Sequence, residues 1–270
     1  MKKLLVLFIS LFLVLCTGCG TIREVKDMEY TATVRGQSTS GIYSGSVKRN
    51  IPDGKGIFSA RNSKGDRYTY EGEWKNGLFH GEGKLSFDSP EYNIQEGNFS
   101  DGEFDPTPYQ YFKALGTRKN SSYTIISDAV AFLEKHPDIF LKNSPGSARF
   151  DEKFSYKAFV KNPEKFGNRL IDVRSVRVNQ ISVTELWGGD HTFCIVSDID
   201  GENKYYISLF GKTEPLAEGA VISFKALPLA CFSYESTTGK KVNAIACAGV
   251  SIETEGIAVQ NLLWDFYTDF

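Results

Sequence analysis

Tyr70-Glu71-Gly72-Glu73-Trp74-Lys75-Asn76-Gly77, followed by Gly81-Glu82-Gly83 and Phe87, decides how the first half of the chain folds. Tyr70, Gly72 and Trp74 alternate, so they share one face of a strand. Asn76-Gly77 is a tight-turn pair, since both residues tolerate positive φ. Gly81-x-Gly83 starts the returning strand and lets neighbouring backbones approach closely. The stretch therefore predicts a β-hairpin with an aromatic face. It also repeats: Tyr43-Ser44-Gly45-Ser46-Val47 and Gly54-Lys55-Gly56 precede their counterparts by a constant 27 residues. Glu96-Gly97-Asn98-Phe99-Ser100-Asp101-Gly102 is a third, truncated copy that breaks off at Asp105-Pro106. Stacked hairpins over 41–106 predict one elongated, twisted sheet.

The spacing Y-x-G-x-W-x-x-G, three residues, then G-x-G resembles the MORN repeat. Only the middle copy is complete; the first has Val47 for Trp and Asn50 for Gly, and the third lacks the leading Tyr. The resemblance implies a scaffolding or interaction module, sometimes one with phospholipid contact. Tyr70, Trp74 and Phe99 are expected to be the repeat's own core. About three units are the minimum for an array to stand alone, so this one is expected to lean on its neighbours.

Upstream, Met1-Lys2-Lys3 is a short basic start and Leu4 to Leu15 an apolar run, too short to span a bilayer. Cys16-Thr17-Gly18-Cys19 follows, with small residues before Cys19. This resembles the lipobox of bacterial lipoproteins. It implies a signal peptide at 1–18, a lipid on Cys19 and a tether over 19–40. The chain is then exported and held at the outer face of the cytoplasmic membrane or at the outer membrane.

Downstream, Pro106 and Pro108 end the array. Ser121-Ser122 and the apolar stripe Ile125, Ile126, Ala129, Val130, Phe132 and Leu133 predict a helix over 123–136, stopped by Pro137. A short helical turn is expected near 138–142, within a helical linker spanning 107–153.

From 154 to 253 the pattern is of strands: 170–185, 192–197, 204–210, 221–229, 231–236 and 242–252. A long first strand followed by shorter ones predicts a small barrel. Lys161-Asn162-Pro163-Glu164-Lys165-Phe166-Gly167, Leu216-Ala217-Glu218-Gly219-Ala220-Val221 and Asn243-Ala244-Ile245-Ala246 resemble motifs of bacterial envelope proteins with a tRNA-anti-like, OB-type barrel. The fold class expected is thus mainly β: stacked hairpins, a short helical linker and a five-stranded OB-like barrel. An aromatic tail, 254–270, closes the chain.

On such a barrel the ligand surface is the face of strands two and three, which nominates Trp187, Phe193, Tyr205, Tyr206 and Phe210. Tyr205 and Tyr206 are adjacent, so one points in and the other out. A nucleic-acid groove needs basic residues, and few surround these aromatics. Asp190, His191 and Cys194 are the one constellation suited to nucleophilic chemistry, but His191 and Cys194 lie three apart on a strand and face opposite sides. Cys231 and Cys247 flank the last hairpin, where a cross-strand disulfide is an open alternative to free thiols. Three widely separated His and no C-x-x-C argue against a metal site, and no phosphate loop suggests a cofactor.

Composition agrees with this outline. The chain has 270 residues, 41% hydrophobic and 24% charged, so it is neither disordered nor a disulfide-dense mini-scaffold. With 31 Lys+Arg against 33 Asp+Glu it is not a basic nucleic-acid binder. The function expected is a non-catalytic, lipid-anchored envelope module that binds or scaffolds, its partners being the membrane through its lipid and an envelope protein or glycan. Two alternatives are an oligosaccharide or oligonucleotide receptor using the barrel face, and a hydrolase around Asp190. Composition and motifs leave the oligomeric state open.

Overall fold

The computed structural model describes residues 21–34, 36–118, 121–141, 148, 150–187, 189–213, 216–236, 238–254 and 257–259. Its first sheet is a meander. Ile22–Val34 (β1), Gln37–Lys48 (β2), Ile51–Arg61 (β3), Arg67–Lys75 (β4), Leu78–Phe87 (β5), Gln95–Ser100 (β6) and Glu103–Phe104 (β7) pair antiparallel, each only with its chain neighbours. Where a tether is expected over 19–40, Ile22–Val34 and the start of β2 are instead strands of the sheet. Ile22–Val34 pairs with β2 along its length, apart from a bulge between Val25 and Met28.

The repeat has a physical core. Tyr70 is fully buried, and its hydroxyl donates to the Glu73 carbonyl at 2.8 Å, with the His80 carbonyl at 3.2 Å. Its ring lies over Gly83, where an added Cβ would sit 2.7 Å from ring carbons. Tyr43 repeats the arrangement: its hydroxyl donates to the Ser46 carbonyl at 2.7 Å and its ring lies over Gly56. Glycine is required at both places because the tyrosine ring occupies the side-chain space. Trp74 meets Tyr43, Tyr70 and Phe79 edge-on at 5.1, 5.5 and 4.8 Å. These are favourable aromatic geometries.

Three turns at one end of the meander hold two left-handed residues each: Arg49-Asn50 (φ 56, 67), Asn76-Gly77 (51, 86) and Asp101-Gly102 (48, 89). This is the twist-matched hairpin turn. Asn50 takes the place of a glycine without changing the turn, since Asn enters the left-handed region readily. In the third copy Gln95 stands where tyrosine would, and the array stops because a helix takes the next hairpin's place. Pro108–Leu115 (α1) starts with a capping box between Thr107 and Gln110. The Gln110 side chain covers Gly97 and accepts the Asn98 N–H at 3.2 Å. Sequence periodicity predicts no separate helix here; Pro108, which closes the array, is also the first residue of α1.

The helix expected over 123–136 is shorter, Ser127–Lys135 (α2), because the Ile126 N–H is bonded to the Leu229 carbonyl at 2.9 Å. Pro137–Leu141 (α3) follows. Phe150–Asp151 (β8) and Tyr156–Lys161 (α4) lead into the second sheet. Leu170–Leu186 (β9), Gly189–Ser197 (β10), Lys204–Phe210 (β11), Val221–Glu235 (β12) and Lys241–Thr254 (β13) form it, and Ile257–Val259 (β14) adds to β13. β9 pairs with both β10 and β12, and β11 pairs parallel with β13. The five long strands therefore close in the order β9-β10-β11-β13-β12-β9. The strands expected at 221–229 and 231–236 are one, continuous through a register shift between Pro228 and Ala230 that accommodates the proline's missing N–H.

Two cores result. One fills the barrel, with Val178, Cys194, Tyr205, Ile207, Phe224 and Cys247 inside and Phe159 of α4 closing it. The other joins the aromatic face of the meander, α1 to α3 and the outer face of β11, β12 and β13 into one continuous cluster.

Candidate functional site

The five aromatics nominated from sequence do not form an open groove. Trp187 is buried against Phe104 of the meander at 5.2 Å and Tyr111 of α1 at 5.3 Å. Phe210 is buried under Tyr111 at 4.0 Å and Phe112 at 5.6 Å. Phe193 stacks on Tyr206 at 5.9 Å, and Tyr206 meets Phe232, which also touches Tyr123. Tyr205 points into the barrel, against Tyr156 and Phe224. The outer face of β10 and β11 is thus covered by α1 and the segment leading to α2. The linker brings its own aromatic side chains, Tyr111, Phe112 and Tyr123, to the face where a ligand is expected.

Asp190, His191 and Cys194 do not converge. His191 packs outward on Tyr111, whereas Cys194 lies inside the barrel, its thiol pushed up to about 12 by burial. His191 Nε2 lies 2.7 Å from the Leu186 carbonyl, which can only accept, so Nε2 carries the proton. Nδ1 then accepts from the Tyr111 hydroxyl at 2.7 Å. Burial holds this imidazole below the ordinary 6.5, with the Leu186 bond and Asp190 opposing in part. The unfolded chain therefore takes up the proton first, and stability should be full above about pH 6.5 and fall as pH drops below it. Denaturant midpoints at about pH 7.5 and about pH 5.5 should diverge less in His191→Gln than in the native chain.

Cys194, Cys231 and Cys247 are free thiols. The register sets Cys231 opposite Ile245 and Cys247 opposite Pro228, so the two are not cross-strand partners and the disulfide is not formed. Among the described residues no group of three or more His, Cys, Asp or Glu could hold a metal, and no helix is long and apolar enough to cross a membrane. Cys19 and the tail beyond Thr254, β14 excepted, lie outside the described residues.

A concave site lies elsewhere among the described residues. At the meander end opposite the tight turns, the longer connections face the tip of the β9–β10 hairpin across a cleft of about 480 Å³. Tyr68 and Phe87 line it from the sheet, Glu91 and Tyr92 from the β5–β6 loop, Glu185 and Trp187 from the barrel, and Arg118 from beyond α1. Its loops are fastened by hydrogen bonds of their own. The Tyr92 hydroxyl bonds Asp66 and Asn62 at 3.3 Å each, and Asn62 Oδ1 accepts the N–H of Lys64 and of Asp66. Asn93 Nδ2 donates to the Ala114 carbonyl at 2.8 Å. The Tyr92 ring stacks on Phe87 at 4.5 Å. Sequence reasoning missed this site because it is built from the non-repeating loops, and their meeting with the barrel is a tertiary fact.

The MORN repeat profile matches residues 43–63 and 70–89, the β2–β3 and β4–β5 hairpins. MORN repeats serve in general as binding and scaffolding modules. No curated protein matches the chain significantly, and no solved structure does.

Proposed function

We propose that the protein is a non-catalytic binding or scaffolding module of the bacterial cell envelope, tethered by a lipid on Cys19 and carrying an OB-type barrel. The observation that carries this reading is the continuous core that joins the repeat sheet to the barrel through α1 to α3. It makes the repeats and the barrel one rigid display surface, as a scaffold requires. The OB-type assignment is supported by the pairing order, in which the first long strand bonds two neighbours and the third and fifth run parallel. The anchor is supported by the small residues before Cys19 and the short apolar run ahead of them.

Cys19→Ala should release the protein from the membrane fraction; a variant that still sediments with membranes refutes the lipid tether. The chain beginning at Gly20, spun with anionic liposomes and separately with peptidoglycan, should pellet with one of them. Pelleting with neither refutes direct envelope binding by the folded part.

A further inference from the structure

β9 outruns one of its two neighbours. Over 171–177 it pairs with β12. At Val178 the N–H donates to the Ala220 carbonyl at 2.9 Å and the carbonyl accepts the Gly219 N–H at 2.8 Å. Beyond that point β9 pairs on one side only, with β10, as far as Leu186. No described strand takes the other side of 180–186. Gln180, Ser182, Val183, Thr184 and Glu185 are exposed, Val183 at 40%, and Ile181 is half-buried. Main-chain N–H and carbonyl groups are thus left to solvent along Gln180-Ile181-Ser182-Val183-Thr184, a stretch in which β-branched residues predominate. Such an edge is a template for one more strand.

The terminal strands of both sheets carry the devices that discourage such pairing. β1 is broken by a bulge between Val25 and Met28, with Asp27 in the left-handed region (φ 52) and Arg23, Glu24 and Lys26 beside it. β7, β8 and β14 are two or three residues long, which also blunts an edge. β12 outruns β9 in turn, but there the Leu229 carbonyl is taken by the Ile126 N–H and Phe232 is met by Tyr123. The open part of β9 has none of these features. Its register with β10 is unbroken from Gln180 to Leu186, it holds no Pro, Lys or Arg, and its one charge, Glu185, stands near the far end.

We propose that this edge takes a second copy of the chain: the two β9 strands pair antiparallel over 180–184, about a two-fold axis at Ser182. The sequence is its own complement in that register. Ile181 falls opposite Val183 of the second copy, Gln180 opposite Thr184, and Ser182 opposite Ser182, so apolar meets β-branched apolar on one face and polar meets polar on the other. The axis must pass through a residue, because a half-step would set side chains of opposite faces against each other. An axis at Val183 would put the Glu185 carboxylate opposite Ile181. An axis at Thr184 would carry the exchange onto Leu186, beside the tip where Trp187 packs on the meander. Five residues from each copy make a small contact, so a Kd of about 1–100 μM is expected. The dimer goes beyond the scaffold role. It rests on the strand pairing alone, and stands whether or not Cys19 carries a lipid.

The test is sedimentation equilibrium of the chain beginning at Gly20, which holds every described residue. Between about 1 μM and about 200 μM its mass should rise from one chain to two. Ser182→Lys and Ser182→Glu, each alone, should weaken the dimer at least about tenfold, because like charges then meet at the axis. An equimolar mixture of the two variants should regain the dimer, Lys now standing opposite Glu. Circular dichroism checks that both variants fold, and recovery in the mixture itself requires that they do. A native chain that stays monomeric at about 200 μM overturns the proposal. So does a dimer that survives unchanged in both variants, since the contact then lies elsewhere. So does a mixture that associates no better than its components, since the axis then does not pass through Ser182. No lipid or glycan takes part, so the outcome is independent of sedimentation with liposomes or peptidoglycan.

Discussion

Gly83→Ala should destabilise the protein by about 3 kcal/mol, the upper part of the range for overpacking a filled site. A Cβ at Gly83 would lie 2.7 Å from the Tyr70 ring, well inside van der Waals contact. The ring cannot retreat. It is stacked on Phe79 at 3.8 Å, met edge-on by Phe99 at 5.0 Å and by Trp74 at 5.5 Å, and held at its hydroxyl by the Glu73 carbonyl. Across the strand pair Gly72 faces Gly83, and there too a Cβ would meet backbone. Gly201→Ala is the control. Gly201 has φ +76 but nothing within 4 Å of its Cβ position, so only backbone strain of about 1 kcal/mol is expected. Denaturant midpoints of the two variants decide the matter. Equal losses would mean that Gly83 is kept for backbone freedom and not for the close approach of Tyr70.

The second large effect is expected at Tyr111. This fully buried ring touches Phe112 in its own helix, Phe210 in β11, Trp187 at the tip of the β9–β10 hairpin and His191 in β10. Tyr111→Ala should cost about 3–5 kcal/mol, as other large aromatic truncations do. It should also change the form of unfolding. The native chain, whose meander and barrel face share one core, should lose far-ultraviolet ellipticity and tryptophan fluorescence in one transition. In Tyr111→Ala the joint is cut, and the two signals should separate. Tyr111→Phe keeps the ring and gives up the bond to His191, so it should lose only about 1–2 kcal/mol and remain cooperative. A single transition with a loss under about 1 kcal/mol in Tyr111→Ala would show that the joint lies elsewhere.

The repeat was legible because its signals are local. Tyr70, Gly72 and Trp74 announce a face, Asn76-Gly77 a turn, and the constant spacing a second copy. The barrel strands were legible through alternation, and 204–210 was placed to the residue. What escaped depends on partners distant in sequence. Ile126 marks the start of α2 because of Leu229, on a strand far along the chain. Pro108 reads as a stop in the sequence, whereas Thr107 and Gln110 make it the first residue of α1. Four of the nominated aromatics, Trp187, Phe193, Tyr206 and Phe210, lie on the outer side of the barrel, and Tyr205 lies inside it. Nothing near them in sequence, however, says that Tyr111 and Phe112 lie on top. The cleft was invisible for the same reason: Tyr92 and Glu185 become neighbours only when the loop end of one sheet meets a hairpin of the other.

The pairing order of the two sheets has a bearing on assembly. In the meander every strand bonds only to the one made just before or just after it, so each hairpin can close as soon as its second strand is available. Such nearest-neighbour closure involves short loops and is fast. The barrel cannot begin so early. β11 has to wait for β13, and β9 stays half-paired until β12 arrives. As the chain emerges from a ribosome, the repeats therefore stand ready first, and their aromatic face offers a template on which α1, and then the barrel wall, can settle.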